Sequence, residues 1–234
     1  FQQVPSPRLG EMMALEADRL ANLVLDAKEF AQEIKVVMEE RRLRTEDNPQ
    51  AQVHEKQMAA AFQAHPYRRP IIGWMNDLEN MTAADARDWY RRWYAPNNAY
   101  VIVVGDVNKD AVFRLAEKHY GRIPARALPG RKPQLEPAQV GIKRIEVRAP
   151  AKLPYLSMAW KAPVLRDLHK EREPYALEML AAVLDGHEAA RFSRNLVRGS
   201  KVAVSAGAGY DATVRGEALF VVSGTPAEGR SVAE

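Results

Sequence analysis

Cysteine is absent from all 234 residues. That excludes disulfides, thiol nucleophiles and thiolate metal sites, and it does not separate cytoplasm from periplasm. Localisation is therefore open between the bacterial periplasm and the cytoplasm. The longest apolar runs are only a few residues, which excludes a membrane-spanning helix. No charge of one sign dominates. The net charge of +4 comes from 34 basic and 30 acidic residues interleaved along the chain, with no basic block at aromatic spacing, so a nucleic-acid partner is not expected. Histidine is scarce. His54, His65, His119, His169 and His187 are the only five, and no two lie within five residues of each other. None can form an i, i+4 pair of helical metal ligands. Ser193 and Ser205 have no histidine at motif spacing, which excludes a serine triad by sequence pattern. Gly207-Ala208-Gly209 is too short for a phosphate loop and reads as a strand that needs close approach.

What is present is a helix with an unusual acidic face. Phe30, Ile34, Val37 and Met38 fall at i, i+4, i+7 and i+8, one apolar stripe that should be buried. Glu33 and Glu40 are seven apart, two turns, so both carboxylates point the same way from another face. The helix should stop near Asn48-Pro49, because proline disfavours helix in the residue before it. Two such carboxylates can be a metal ligand and its supporting neighbour, or two solvated charges.

The surrounding words favour the first reading. Leu15-Glu16-Ala17-Asp18-Arg19-Leu20 precedes the helix, and Glu29-Phe30-Ala31-Gln32-Glu33 through Met38-Glu39-Glu40-Arg41-Arg42 forms it. His65-Pro66-Tyr67, Trp89-Tyr90-Arg91-Arg92-Trp93-Tyr94 and Val101-Ile102-Val103-Val104-Gly105-Asp106 follow. In this order and spacing the chain resembles the pitrilysin/insulinase family of zinc peptidases, in its bacterial processing-peptidase-like branch. The resemblance runs through nearly the whole chain and is specific as a set.

The resemblance implies an α+β fold of two related modules of the processing-peptidase/LuxS-like metallohydrolase type, mainly antiparallel sheets packed with helices, both incomplete here. It implies a zinc-dependent endopeptidase acting on peptides or unfolded polypeptides in an enclosed chamber. An H-x-x-E-H motif supplies two histidine ligands and the general base, and a glutamate on a second helix supplies the third ligand. That glutamate ends an E-x6-E pattern. By resemblance Glu40 is the zinc ligand and Glu33 its second acidic neighbour, while Glu39 lies about 100° around the helix. His65-Pro66-Tyr67 matches a loop word that is structural in the family. A non-catalytic partner or scaffold subunit of the same family is the alternative.

No H-x-x-E-H occurs in this sequence. Counting back from Glu40, it would lie about 35 to 40 residues before Phe1. The chain opens without methionine, and Thr225-Pro226-Ala227-Glu228 looks like a helix start near the other end. The expectation is a central fragment, inactive and without bound zinc alone. Its partners would be peptide substrates, a preceding segment and a second half of the same protein, with homo- or heterodimers in some members.

Along the chain, helices are predicted over 8–27, around Glu33–Glu40, over 51–63, from a Thr82–Asp85 capping box to Tyr94, and from Asn108 to Gly121. Residues 98–105 read as a buried strand. Pro124, Pro129, Pro133 and Pro137 mark a linker over 124–141, dividing a first module, 1–123, from a second, 142–234. Beyond it, strands are predicted at 142–147, 155–160, 201–209 and 217–224, and helices at 173–184 and 188–198. Trp89 and Trp93, at i, i+4, are expected to pack in the core.

Overall fold

In the computed structural model, which describes residues 1–234, four of the α-helices begin where a side chain satisfies their free N–H groups. Asp26 Oδ1 accepts from Lys28 N and Glu29 N at 2.8 and 3.0 Å and opens α2, Ala27–Arg41. Asn48 accepts from Gln50 N and Ala51 N, and with Pro49 in the first turn it opens α3, Pro49–Ala61. Thr82 and Asp85 form the expected reciprocal box at the start of α5, Ala83–Trp93. Asn108 opens α6, Lys109–Tyr120, which stops at Gly121, where a Cβ would collide with the Glu117 carbonyl. The remaining helices are α1, Leu9–Asn22, α4, Met75–Asn80, and α7, Glu173–Asp185. Two segments are wound more widely, with π-type turns at Arg42–Glu46 and Ser193–Gly199.

The chain packs as two units. The first comprises Phe1–Met38 and Met75–Lys132. Here α1 lies against α6, close enough that a Cβ on Gly10 would sit 3.4 Å from Leu115. Met13, Ala17, Leu78, Ala83, Tyr90 and Ala95 are buried. Tyr90 closes α1: its hydroxyl donates to Leu20 O at 2.7 Å and accepts from Leu23 N at 3.1 Å. Arg87, one turn earlier on α5, donates to Leu25 O at 2.9 Å.

The second unit comprises Glu39–Trp74 and Pro133–Glu234. Its sheet has the order β1-β3-β2, all antiparallel, built from β1, Leu156–Ala162, β2, Ala203–Gly209, and β3, Ala218–Pro226. β3 is central and carries the buried Ala218 and Phe220. α3 packs on β1, and α7 and the Ser193–Gly199 turns pack on β2. A Cβ on Gly207 would meet Asp185 of α7 at 3.1 Å, which is the close approach expected of that glycine.

The α+β class, the two expected caps (the Thr82–Asp85 box and Asn108) and three of the predicted strands are all present. Several expectations are corrected. Residues 8–27 are not one helix, because α1 ends at Asn22 and Asp26 starts another. Residues 98–105 join no ladder, and Ile102 and Val104 are 83% and 91% exposed. Residues 142–147 are likewise not a strand, and Ile142 faces solvent. An apolar run becomes a strand only where another edge is in reach. The helix expected over 188–198 begins late, because His187 caps a turn first by accepting from Ala189 N. Thr225-Pro226 ends β3 instead of starting a helix. Trp89 is 61% exposed and stacks only on Trp93, since α5 buries the Ala83–Tyr90 side. Ile34, Val37 and Met38 are half-buried.

One boundary between packing units, at Lys132 and Pro133, falls inside the expected linker, whereas 39–74 packs with the residues after 133 and not with the first unit. The proline-rich stretch is also less free than its composition suggests. Arg126 exchanges backbone hydrogen bonds with the Asn97 side chain, and its guanidinium donates to Arg91 O and Tyr94 O. Arg131 lies over the Trp93 ring at 4.7 Å. Lys132 has no such contact and is exposed. Pro133 blocks trypsin after Lys132, so at low ratio the enzyme is expected to cut after Arg131 first, with Arg126 surviving longer and Glu29–Arg42 longer still. Mass mapping of the first fragments checks this, and an initial cut at Arg126 contradicts it.

Candidate functional site

Helix α2 carries Glu33 and Glu40 on one continuous run of α-helix. Seven residues along a helix rise about 10 Å, so one ion cannot be bound equally by both carboxylates without long reaches from each. Glu33 is exposed and has no ion-pair partner within the chain. Glu40 is partly exposed, and Arg44, itself 73% exposed, reaches it at 2.8 Å. Glu39 points elsewhere and pairs with Arg42 at 2.9 Å. The neighbouring Arg41 is different in kind. Its guanidinium is buried and bidentate to Glu55 of α3, at 2.8 and 3.2 Å, and it donates to Gly73 O at 2.9 Å. Arg41 Nε has no aligned acceptor, and Glu46 is 3.5 Å away. The hydrogen bonds that Arg41 donates to Glu55 outweigh burial and raise the Arg41 pKa, so the charge persists across the working pH range.

A second buried charge was missed by the sequence reading. Glu136, inside the proline-rich stretch, is turned inward with its side chain 2% exposed. It accepts from Gln63 N, Ala64 N and His65 N at 2.7, 2.8 and 2.9 Å. Lys161 Nζ of β1 lies 2.9 Å away but is not aligned as a hydrogen bond, so it acts mainly as a charge. Burial alone pushes this carboxyl up. The three amides and the lysine overcome that and hold it at about 2. The only sequence signal was an acid placed beside proline, in Leu135-Glu136-Pro137.

The His65-Pro66-Tyr67 loop is a structural piece of this region. His65 Nδ1 accepts from Tyr67 N, and Phe62, His65 and Tyr67 form one aromatic cluster. The Tyr67 hydroxyl accepts from Gly216 N at 3.1 Å, and a side chain on Gly216 would collide with the His65 ring. No three His, Asp or Glu side chains converge on one point. A zinc site needs three protein ligands. Glu40 is one carboxylate already shared with Arg44, so the residues present do not make a zinc centre by themselves.

Comparison with known proteins defines the class first: a peptidase-type α+β fold shared with bacterial proteases. A protease from Helicobacter pylori matches with a TM-score of 0.87 at 28% identity, over 98% of this chain and 55% of that one. The periplasmic protease PqqL from Escherichia coli matches in fold with a TM-score of 0.73 at 17% identity, over 97% of this chain and 25% of that one. In sequence, the zinc protease PqqE of Helicobacter pylori is 30% identical over 233 residues, 97% of this chain and 51% of that protein. The chain thus spans about half the length of that relative. Residues 80–234 match the model of the peptidase M16 inactive domain, and the chain belongs to the peptidase M16 family. That match starts beyond α2, so Glu33 and Glu40 lie outside it.

Two outcomes test the buried charges. Arg41→Met or Glu55→Gln alone should destabilise the fold by about 3–5 kcal/mol, because each strands the other charge. The double variant should lose less than the sum of the two, as read from denaturant midpoints. Glu136 has a folded pKa below its ordinary value. Its contribution is therefore fully present above about pH 4.5 and fades as pH falls toward 2. The gap in urea midpoint between wild type and Glu136→Gln should be constant near neutrality and narrow below pH 4.5.

Proposed function

We propose that this chain is the part of a zinc-dependent endopeptidase that supplies Glu40 as a metal ligand, with Glu33 as its orienting neighbour. The relatives named zinc proteases place the chain in a peptidase family. The observation that carries the finer reading is the division of labour around α2. The fold uses Arg41 and Glu55 for its own stability and leaves Glu33 and Glu40 reachable by solvent, with Glu40 held only by a surface pair. An exposed i, i+4 pair is worth a few tenths of a kcal/mol, so Glu40 is cheap to recruit elsewhere. The histidine pair and the general base would come from the rest of a longer protein. That remainder would also supply the partner edge for the exposed apolar residues 99–104. On this reading the 234 residues alone do not hydrolyse peptides.

A second reading has its own support. The match to a domain described as inactive covers two thirds of the chain, as expected of a non-catalytic partner or scaffold subunit. Whether the whole protein carries H-x-x-E-H separates the two.

The experiment uses the full-length protein and two readouts, zinc content by mass spectrometry and peptide hydrolysis. Glu40→Gln should lose both with an unchanged melting temperature. Glu39→Gln should keep both. Glu33→Gln should lose about 10–100-fold, the usual cost of a supporting residue. A dead Glu39 variant would mean that the ligand has been placed on the wrong face of α2. Equilibrium dialysis of the 234-residue chain should find no stoichiometric zinc, and a tight one-to-one site would overturn the ligand placement.

A further inference from the structure

The stretch around Glu136 is inside out by ordinary burial rules. Leu135 and Val140 are 83% and 96% exposed, while the carboxylate between them is buried. A charged group goes inward past an apolar neighbour only when specific partners wait for it. Those partners are set up by chain geometry. α3 ends at Ala61, Phe62 turns extended, and a tight turn begins at Pro66. The amides of Gln63, Ala64 and His65 fall in the gap, directed at one point. Beneath them Phe62 is 1% exposed, and Lys161 Nζ sits 5.4 Å from its ring. Three convergent N–H donors beside an ammonium form a concave site of the right chemistry for one carboxylate.

We propose that Gln63, Ala64, His65 and Lys161 form a carboxylate-binding nest that Glu136 fills from within the chain, as a releasable clasp on the proline-rich stretch. With the clasp closed, 133–141 is a strap fixed to the second unit. With it open, the same residues behave as the flexible tether that their composition suggests, and the nest is free for another carboxylate. Arg68 and Lys143, which donate to Gln63 O and Ala60 O, brace the loop from outside without touching Glu136. The proposal is independent of the metal and of Glu40.

Hydrogen exchange on the full chain at neutral pH tests it, with Glu136→Ala, Glu136→Gln and the exposed-neighbour control Leu135→Ala. The amides of 63–65 should be protected in wild type and in Leu135→Ala. In Glu136→Ala they should exchange roughly 10–100-fold faster, the loss expected for charge-assisted hydrogen bonds. Glu136→Gln, whose amide oxygen still accepts, should fall between. Sodium formate should restore protection to Glu136→Ala and leave wild type unchanged, whereas formamide should not restore it. Trypsin cleavage after Arg131 should follow the same order. Unchanged protection of 63–65 in Glu136→Ala overturns the proposal. So does faster exchange spread evenly over β1 and β3 that formate does not reverse, since Glu136 would then be a general stabilising contact. If Glu136→Ala does not fold, the ordering of Glu136→Gln against wild type decides alone.

Discussion

A guanidinium buried at the end of a helix has one stable arrangement: every N–H must face an acceptor, and one acceptor must carry the opposite charge. Arg41 meets most of that demand with Glu55 and Gly73 O, and only its Nε lacks an aligned acceptor, with the Glu46 charge 3.5 Å away. The constraint ties together the end of α2, the middle of α3 and the loop before Trp74. It also explains why α2 passes directly into a wider turn over Arg42–Glu46, where the backbone opens while Arg41 stays engaged. Because Glu40 immediately precedes Arg41, its position along the chain inherits this anchoring, while its own side chain stays outside the core.

The second anchor works by the same physics on the other sign of charge. Glu136 is inward because three amides and a lysine wait for it. A stretch rich in proline has few amides of its own to form ladders, so it can be ordered only through its side chains and carbonyls. Arg126 and Glu136 are the residues that do this, each within its own packing unit. Composition alone reads the stretch as a tether because composition records the missing ladders and not these few side-chain contacts.

Exposed apolar residues mark the points where local preference outran tertiary opportunity. Residues 98–105 have the β-branched content of a buried strand, yet they belong to no strand and pair with none. Trp89 follows the i, i+4 pattern of a packed pair and still faces outward, because Tyr90, a residue later, takes the buried side and caps α1. Periodicity names which residues share a face. It does not say which of two apolar faces finds a partner.

Short-range signals were legible in the residues themselves. The Thr82–Asp85 box, the Asn108 cap, the stop at Gly121 and the Glu33–Glu40 spacing depend on residues within a few positions, so the sequence determined them. The α+β class and the family were legible for the same reason, as an ordered set of such words. The pairing of Arg41 with Glu55, the inward turn of Glu136, the grouping of 39–74 with the residues after 133 and the failure of 98–105 to become a strand were decided by the tertiary structure. Each depends on what a side chain or edge meets across many residues of chain, and a buried charge or an unpaired strand has its energy set by that distant partner rather than by its neighbours in sequence.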